Sequence, residues 1–195
     1  MKICLATACF CFSLLSPFPA AWAENSDWKT IGWWDISFYP KAAGCSAFAQ
    51  FDGGISFFIG LSGNANEISL EVILLNEKWK SVQRDKQYTV NVQFGNEQPW
   101  VLDMWGVQDN GFGGLKISEP ASSTQAGKFV QEFIREVDME WEYDGSSLGR
   151  LALNDSGAAF AAVVDCTKSY RSAVGQAADP FSSGAPSRST DPFSN

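Results

Sequence analysis

The chain contains no histidine. That removes the commonest general base, the commonest zinc ligand and every catalytic triad built on imidazole. It also lacks a Cys-x-x-Cys motif, so no redox-active cysteine pair is indicated. Positive charge is scarce: 14 Lys and Arg stand against 22 Asp and Glu, a net charge of −8. Such a chain repels phosphate backbones, so nucleic acid is not expected as a partner. No uninterrupted apolar run approaches the ~20 residues of a membrane-spanning helix. At 195 residues the chain is expected to hold one domain with terminal extensions.

What is present begins with an address. Lys2, an apolar run over residues 3–15 and the small-x-small ending Ala21-Trp22-Ala23 predict a secretory signal peptide over residues 1–23. Pro17 and Pro19 argue against a buried helix here. Cleavage after Ala23 would deliver the protein to the periplasm or the medium, with no stable membrane span left. Only Lys2 is lost among the charges. Cys4, Cys9 and Cys11 also leave with the leader, so Cys45 and Cys166 remain. An even pair in an oxidising compartment predicts one disulfide. It would close a loop of about 120 residues and join the beginning of the fold to its end.

Residues 24–171 form the expected folded domain. Strand signals recur over 32–39, 45–51, 55–61, 68–75, 88–94, 100–107, 115–118, 139–143 and 148–153. The segment 88–94 is typical: Tyr88, Val90, Val92 and Phe94 alternate with Thr89, Asn91 and Gln93. A spacing of two puts one set on a core face and the other toward water. Asp52-Gly53-Gly54, the turn at 64–66 and Asp144-Gly145 read as hairpin connections. Two helices are predicted, over 125–137 with Ser123 or Thr124 as cap, and over about 157–169 with Ser156 as cap. The expected class is mainly β, a β-rich α+β fold: an antiparallel β-sandwich or curved open barrel with two packed helices and one disulfide. From Ser172 to Asn195 the composition turns to Ser, Ala, Pro and Gly, which predicts a disordered tail. That tail carries Asp179-Pro180-Phe181 and again Asp191-Pro192-Phe193; no role is assigned to the repeat.

Candidate chemistry is sparse. Gly145-Ser146-Ser147-Leu148-Gly149 matches a nucleophile-elbow pattern, but it falls in a predicted hairpin and has no histidine to serve it. Ser26 and Lys29 have Ser-x-x-Lys spacing without a helix around them. The run from Asp109 to Gly114 has the glycines of a phosphate cradle but no following Lys-Ser/Thr, and reads as a mobile loop. Asp138, Glu140, Glu142 and Asp144 alternate with Met139, Trp141 and Tyr143. In a strand the four carboxylates would share one face, either a surface for calcium or a cationic partner or simply a solvated face that resists edge pairing. Trp33 and Trp34 are adjacent, so in a strand they face opposite sides and one becomes a candidate exposed aromatic. No catalytic residue, metal or cofactor is expected.

The signal peptide, the early Trp34-Asp35-Ile36-Ser37 strand, Cys45, and the run from Leu151 to Phe160 followed by Cys166 together resemble small exported alphaproteobacterial proteins, similar to the invasion-associated locus B group. The resemblance covers about residues 28–168. It implies a periplasmic or envelope β-rich domain with a part in host interaction, and no catalytic residues. The expected function is a non-enzymatic exported protein that binds a protein partner through its surface. Two alternatives stand beside it. One is a glycan-binding or glycan-hydrolysing protein that uses paired carboxylates and exposed Trp. The other is an inhibitor or chaperone-like module acting by strand addition.

Overall fold

A computed structural model describes residues 26–63 and 67–177. The predicted leader, the turn at 64–66 and both Asp-Pro-Phe repeats lie outside the described residues. Ten strands form one antiparallel sheet: β1 Ser26–Ile31, β2 Trp34–Tyr39, β3 Gly44–Phe51, β4 Ile55–Ser62, β5 Ser69–Asn76, β6 Gln87–Phe94, β7 Trp100–Asp109, β8 Phe112–Pro120, β9 Asp138–Tyr143 and β10 Ser146–Ala152. Two helices accompany it, α1 Thr124–Arg135 and α2 Ser156–Ala177. The spatial order is β1-β2-β3-β4-β5-β8-β7-β6-β9-β10, and the sheet does not close. The meander β6–β7–β8 returns to lie beside β5, a Greek-key arrangement. This is the expected class: a mainly antiparallel β fold, open rather than closed, with two helices.

The sheet curls so that its early and late parts meet. Trp34 Nε1 donates to the Asn154 carbonyl at 2.8 Å, across 120 residues of chain. Helix α1 crosses the inner face between β8 and β9. Its Phe129 meets Phe94 of β6 edge-on at 5.0 Å. Phe133 stands fully buried against Trp34 and Phe57 at ring separations of 5.6 and 6.0 Å. Ser123 caps α1 as expected, its side chain accepting from the Ala126 N–H. Along α1 Phe129 and Phe133 are buried and Ile134 is exposed; Val137, also exposed, lies beyond the helix end at Arg135.

Helix α2 lies on β2, β3 and β4. Strand β3 turns Cys45, Ala47 and Ala49 inward ahead of Phe51, and these small side chains let Ala159, Ala162, Val163 and Cys166 approach closely. Cys45 and Cys166 form the expected disulfide with Cα atoms 6.0 Å apart. Phe38 stacks on Tyr170 at 3.8 Å one turn further along the helix. Two helix-end expectations need correction. Asp155, at a positive φ of 62°, supplies the first helical acceptor for the Ala159 N–H. Ser156 is not the cap; its hydroxyl donates to the Phe133 carbonyl at 2.7 Å and ties α2 to α1. The helix also continues to Ala177, past the compositional change at Ser172.

The Asp109–Gly114 segment is likewise not a loose loop. Asn110 and Gly111, with φ of 45° and 85°, make a two-residue hairpin between β7 and β8. Gly113 and Gly106 are strand residues for another reason: a side chain at either would run into the main-chain carbonyl of Trp79 or Gln83. The β5–β6 connection is thereby pressed against the sheet, with Trp79 and Val82 packed on the core.

Candidate functional site

One face of the sheet meets the helices. The other divides into two unlike halves. Over β6 and β9 it is polar, as a solvated antiparallel face should be. There Thr89 donates to Asp103 at 2.6 Å, and Glu140 and Glu142 are exposed. Over β3, β4, β5, β8 and the Trp105–Val107 part of β7 it is not. The register aligns Phe48 with Phe58, Phe58 with Ile73, Ile73 with Lys116, and Lys116 with Trp105. One row of side chains thus crosses five strands with only one charge in it.

These outward residues form a groove of about 940 Å³, floored by Phe48, Phe58, Ile73, Leu75 and Val107 and walled at one end by Tyr39. Phe48 and Phe58 lie 4.8 Å apart, and Tyr39 meets Phe58 edge-on at 6.2 Å. Lys116 pairs with Glu71 at 2.7 Å within the groove. Trp105, half exposed, continues the row beyond it. Large outward aromatics that touch one another form a contiguous apolar patch, which marks binding surfaces more often than solvated faces.

A second cavity of about 450 Å³ adjoins the groove and shares Tyr39 and Phe48 with it. It lies on the outer side of β1 and β2. Asp27 pairs with Ser37 and Lys29 with Ile36, so Trp28 between them is the extra residue of a β-bulge. A bulge re-aims a side chain. Here Trp28 lines the cavity together with Asp27, Lys29 and Asp35. Asp27 accepts from the Ser37 hydroxyl at 3.2 Å, and Asp35 from the Thr30 hydroxyl at 2.9 Å. Among the described residues neither carboxylate pairs with a Lys or Arg. The Tyr39 phenol titrates above its ordinary value, first because it is partly buried and then because Asp27 and Asp35 disfavour a third negative charge.

The residues singled out from sequence fall elsewhere. Trp34 opens β2 and is fully buried. Trp33 sits in the β1–β2 turn and is half exposed, but lines neither cavity. Asp138, Glu140 and Glu142 lie on β9, whereas Asp144 is in the β9–β10 turn with φ 49°. Arg150 bonds Asp138 at 2.9 Å, and that bond raises the guanidinium pKa above its usual value. Ser147 donates to Glu140 at 3.4 Å. Among the described residues no three potential metal ligands converge. Ser146 and Ser147 of the nucleophile-like pattern are exposed residues of β10. Ser26 and Lys29 are exposed residues of β1.

Sequence reading missed the groove. Its signal was there in Phe57-Phe58 and in Ile73-Leu74-Leu75, apolar on successive residues and therefore on both faces of the strand. The chain matches no protein family, no curated protein and no solved structure.

Proposed function

We propose that this is an exported protein of the cell envelope or its surroundings that works without catalysis, binding a protein partner through the outer face of its sheet. The observation that carries this reading is the aromatic and aliphatic groove from Tyr39 to Val107, on a face whose other half is polar. Protein interfaces place aromatic residues at the centre and charges at the rim. Phe48 and Phe58 would be the anchors, with Lys41, Asp109 and the Lys116–Glu71 pair around them. The buried disulfide and the leader-like start of the sequence support export. A role in host contact rests on the resemblance alone.

Strand addition has less support. The β1 edge is interrupted by the bulge at Trp28, and β10 by a register shift between Ser147 and Gly149. Such irregularities turn an edge away from further pairing.

The test is capture from envelope extract with the full chain and with Phe58→Ser. Phe58 is not part of the buried core, so the variant should fold. Partners retained by the native chain and lost by Phe58→Ser support the reading. Identical captures from both chains contradict it.

A further inference from the structure

The groove is apolar, but the cavity beside it is not. Its charged residues are Asp27, Asp35 and Lys29, and the two carboxylates lack an ion-pair partner among the described residues. Both are held in place by neighbouring hydroxyls. Three aromatic side chains, Trp28, Tyr39 and Phe48, share the same cavity. Carboxylates fixed beside π faces suit one kind of guest. A guanidinium can hydrogen-bond a carboxylate through its planar fork while stacking on an indole. Trp gives the strongest cation–π attraction of the three rings. Burial is the first cause of the raised pKa of Tyr39, and repulsion from Asp27 and Asp35 adds to it. The β1 bulge has a purpose on this account, since it brings Trp28 to the cavity beside Asp27.

We propose that this cavity receives a basic side chain, best an arginine, from the protein partner whose apolar residues fill the adjoining groove. The proposal rests on the partner-binding reading and adds the partner's chemistry to it: a segment in which a cation stands next to apolar anchors. Tyr39 and Phe48, common to both spaces, would lie under the junction.

The experiment uses the full chain and two blocked tetrapeptides. One carries an arginine beside two leucines; the other is identical with citrulline, which keeps the shape and loses the charge. Binding is followed by tryptophan fluorescence and calorimetry at low and high salt. The arginine peptide should bind about tenfold more tightly than its citrulline twin, and the preference should shrink as salt rises. Asp35→Asn and Trp28→Leu, both altered at exposed positions of the edge hairpin, should each reduce that preference to about threefold or less.

Equal binding of the two peptides, or no binding of either up to about 5 mM, overturns the proposal. So does a stronger, Asp35-dependent response to phosphatidylcholine vesicles or to chitotriose, which would make the guest a lipid headgroup or a glycan. The groove fails separately. If Phe58→Ser leaves capture from extract unchanged while the arginine preference holds, the groove reading falls and the cavity stands. If capture depends on Phe58 but the peptides are not distinguished, the cavity falls and the groove stands.

Discussion

Breaking the Cys45–Cys166 bond should cost this domain more than any single side-chain truncation on its surface. The bridge spans 121 residues of sequence. In the chain-entropy treatment, a loop of that length restricts the unfolded ensemble by about 5 kcal/mol at 25 °C. For a chain of this size, 1 kcal/mol corresponds to about 2–4 °C in Tm, so the cross-link should be worth about 10–20 °C. Protein refolded in reductant isolates the tether, because both thiols still fill their sites. Cys45→Ala with Cys166→Ala adds a small cavity, since both positions are buried. The effect should be read from urea unfolding followed by circular dichroism. The m-value should rise as well, because an untethered unfolded chain exposes more surface. Hydrogen exchange should quicken first in α2 and β2–β3, the elements that the bond joins directly or through the Phe38–Tyr170 stack. A Tm within about 3 °C of the oxidised protein would show that α2 is held by packing alone, and would refute the reasoning.

Three further outcomes follow from the same structure. Trp34→Phe should destabilise by about 2–4 kcal/mol, through loss of the bond to Asn154 and of packing against Phe51, Phe57 and Phe133, while Trp33→Phe stays within about 0.5 kcal/mol; paired chemical denaturation distinguishes them. Ser123→Ala removes the α1 cap and should lower stability by about 1 kcal/mol, measured in the same way. Tyr39 holds its proton above the ordinary value of 10.0, so its contribution is complete below that pH and is lost as pH rises through its own, higher pKa. Tyr39→Phe should therefore flatten the alkaline fall of stability, and an unchanged slope would contradict the environment described for that phenol.

Much of the fold was legible because burial imposes a period of two. Tyr88, Val90, Val92 and Phe94 alternate, and every one of them is buried. Strand β1 was missed for the opposite reason. Ser26–Ile31 pairs along a single edge and is almost wholly exposed, so no core face disciplined its pattern, and the bulge at Trp28 broke what alternation remained. The Asn110-Gly111 hairpin reads in the sequence as part of a mobile loop, because Gly113 and Gly114 make the surrounding run look like one. The demand for glycine at Gly113 comes from the Trp79 carbonyl, which is remote in sequence. Ser156 has the right identity for a cap, yet Phe133 offers its hydroxyl a buried acceptor that local sequence does not reveal.

The site was harder to read than the scaffold. The acidic stripe on β9 drew attention because its charges alternate, but a surface carboxylate series is what a solvated strand requires. The groove residues drew none, because Phe58 and Ile73 are individually ordinary in strands. They become a surface only when the register sets Phe48, Phe58 and Ile73 side by side. Likewise, Asp27 and Asp35 come together only through the β1–β2 pairing.

The outer face itself can be interrogated in place. A photo-crosslinking phenylalanine derivative at Phe48 samples the junction of groove and cavity, and the same group at Asn91 samples the polar half of the same sheet. Irradiation of cells exporting each protein should give a discrete covalent adduct with another protein from position 48 and none from position 91. Adducts from position 91 alone, or from neither position, would contradict the assignment of this face as the binding surface.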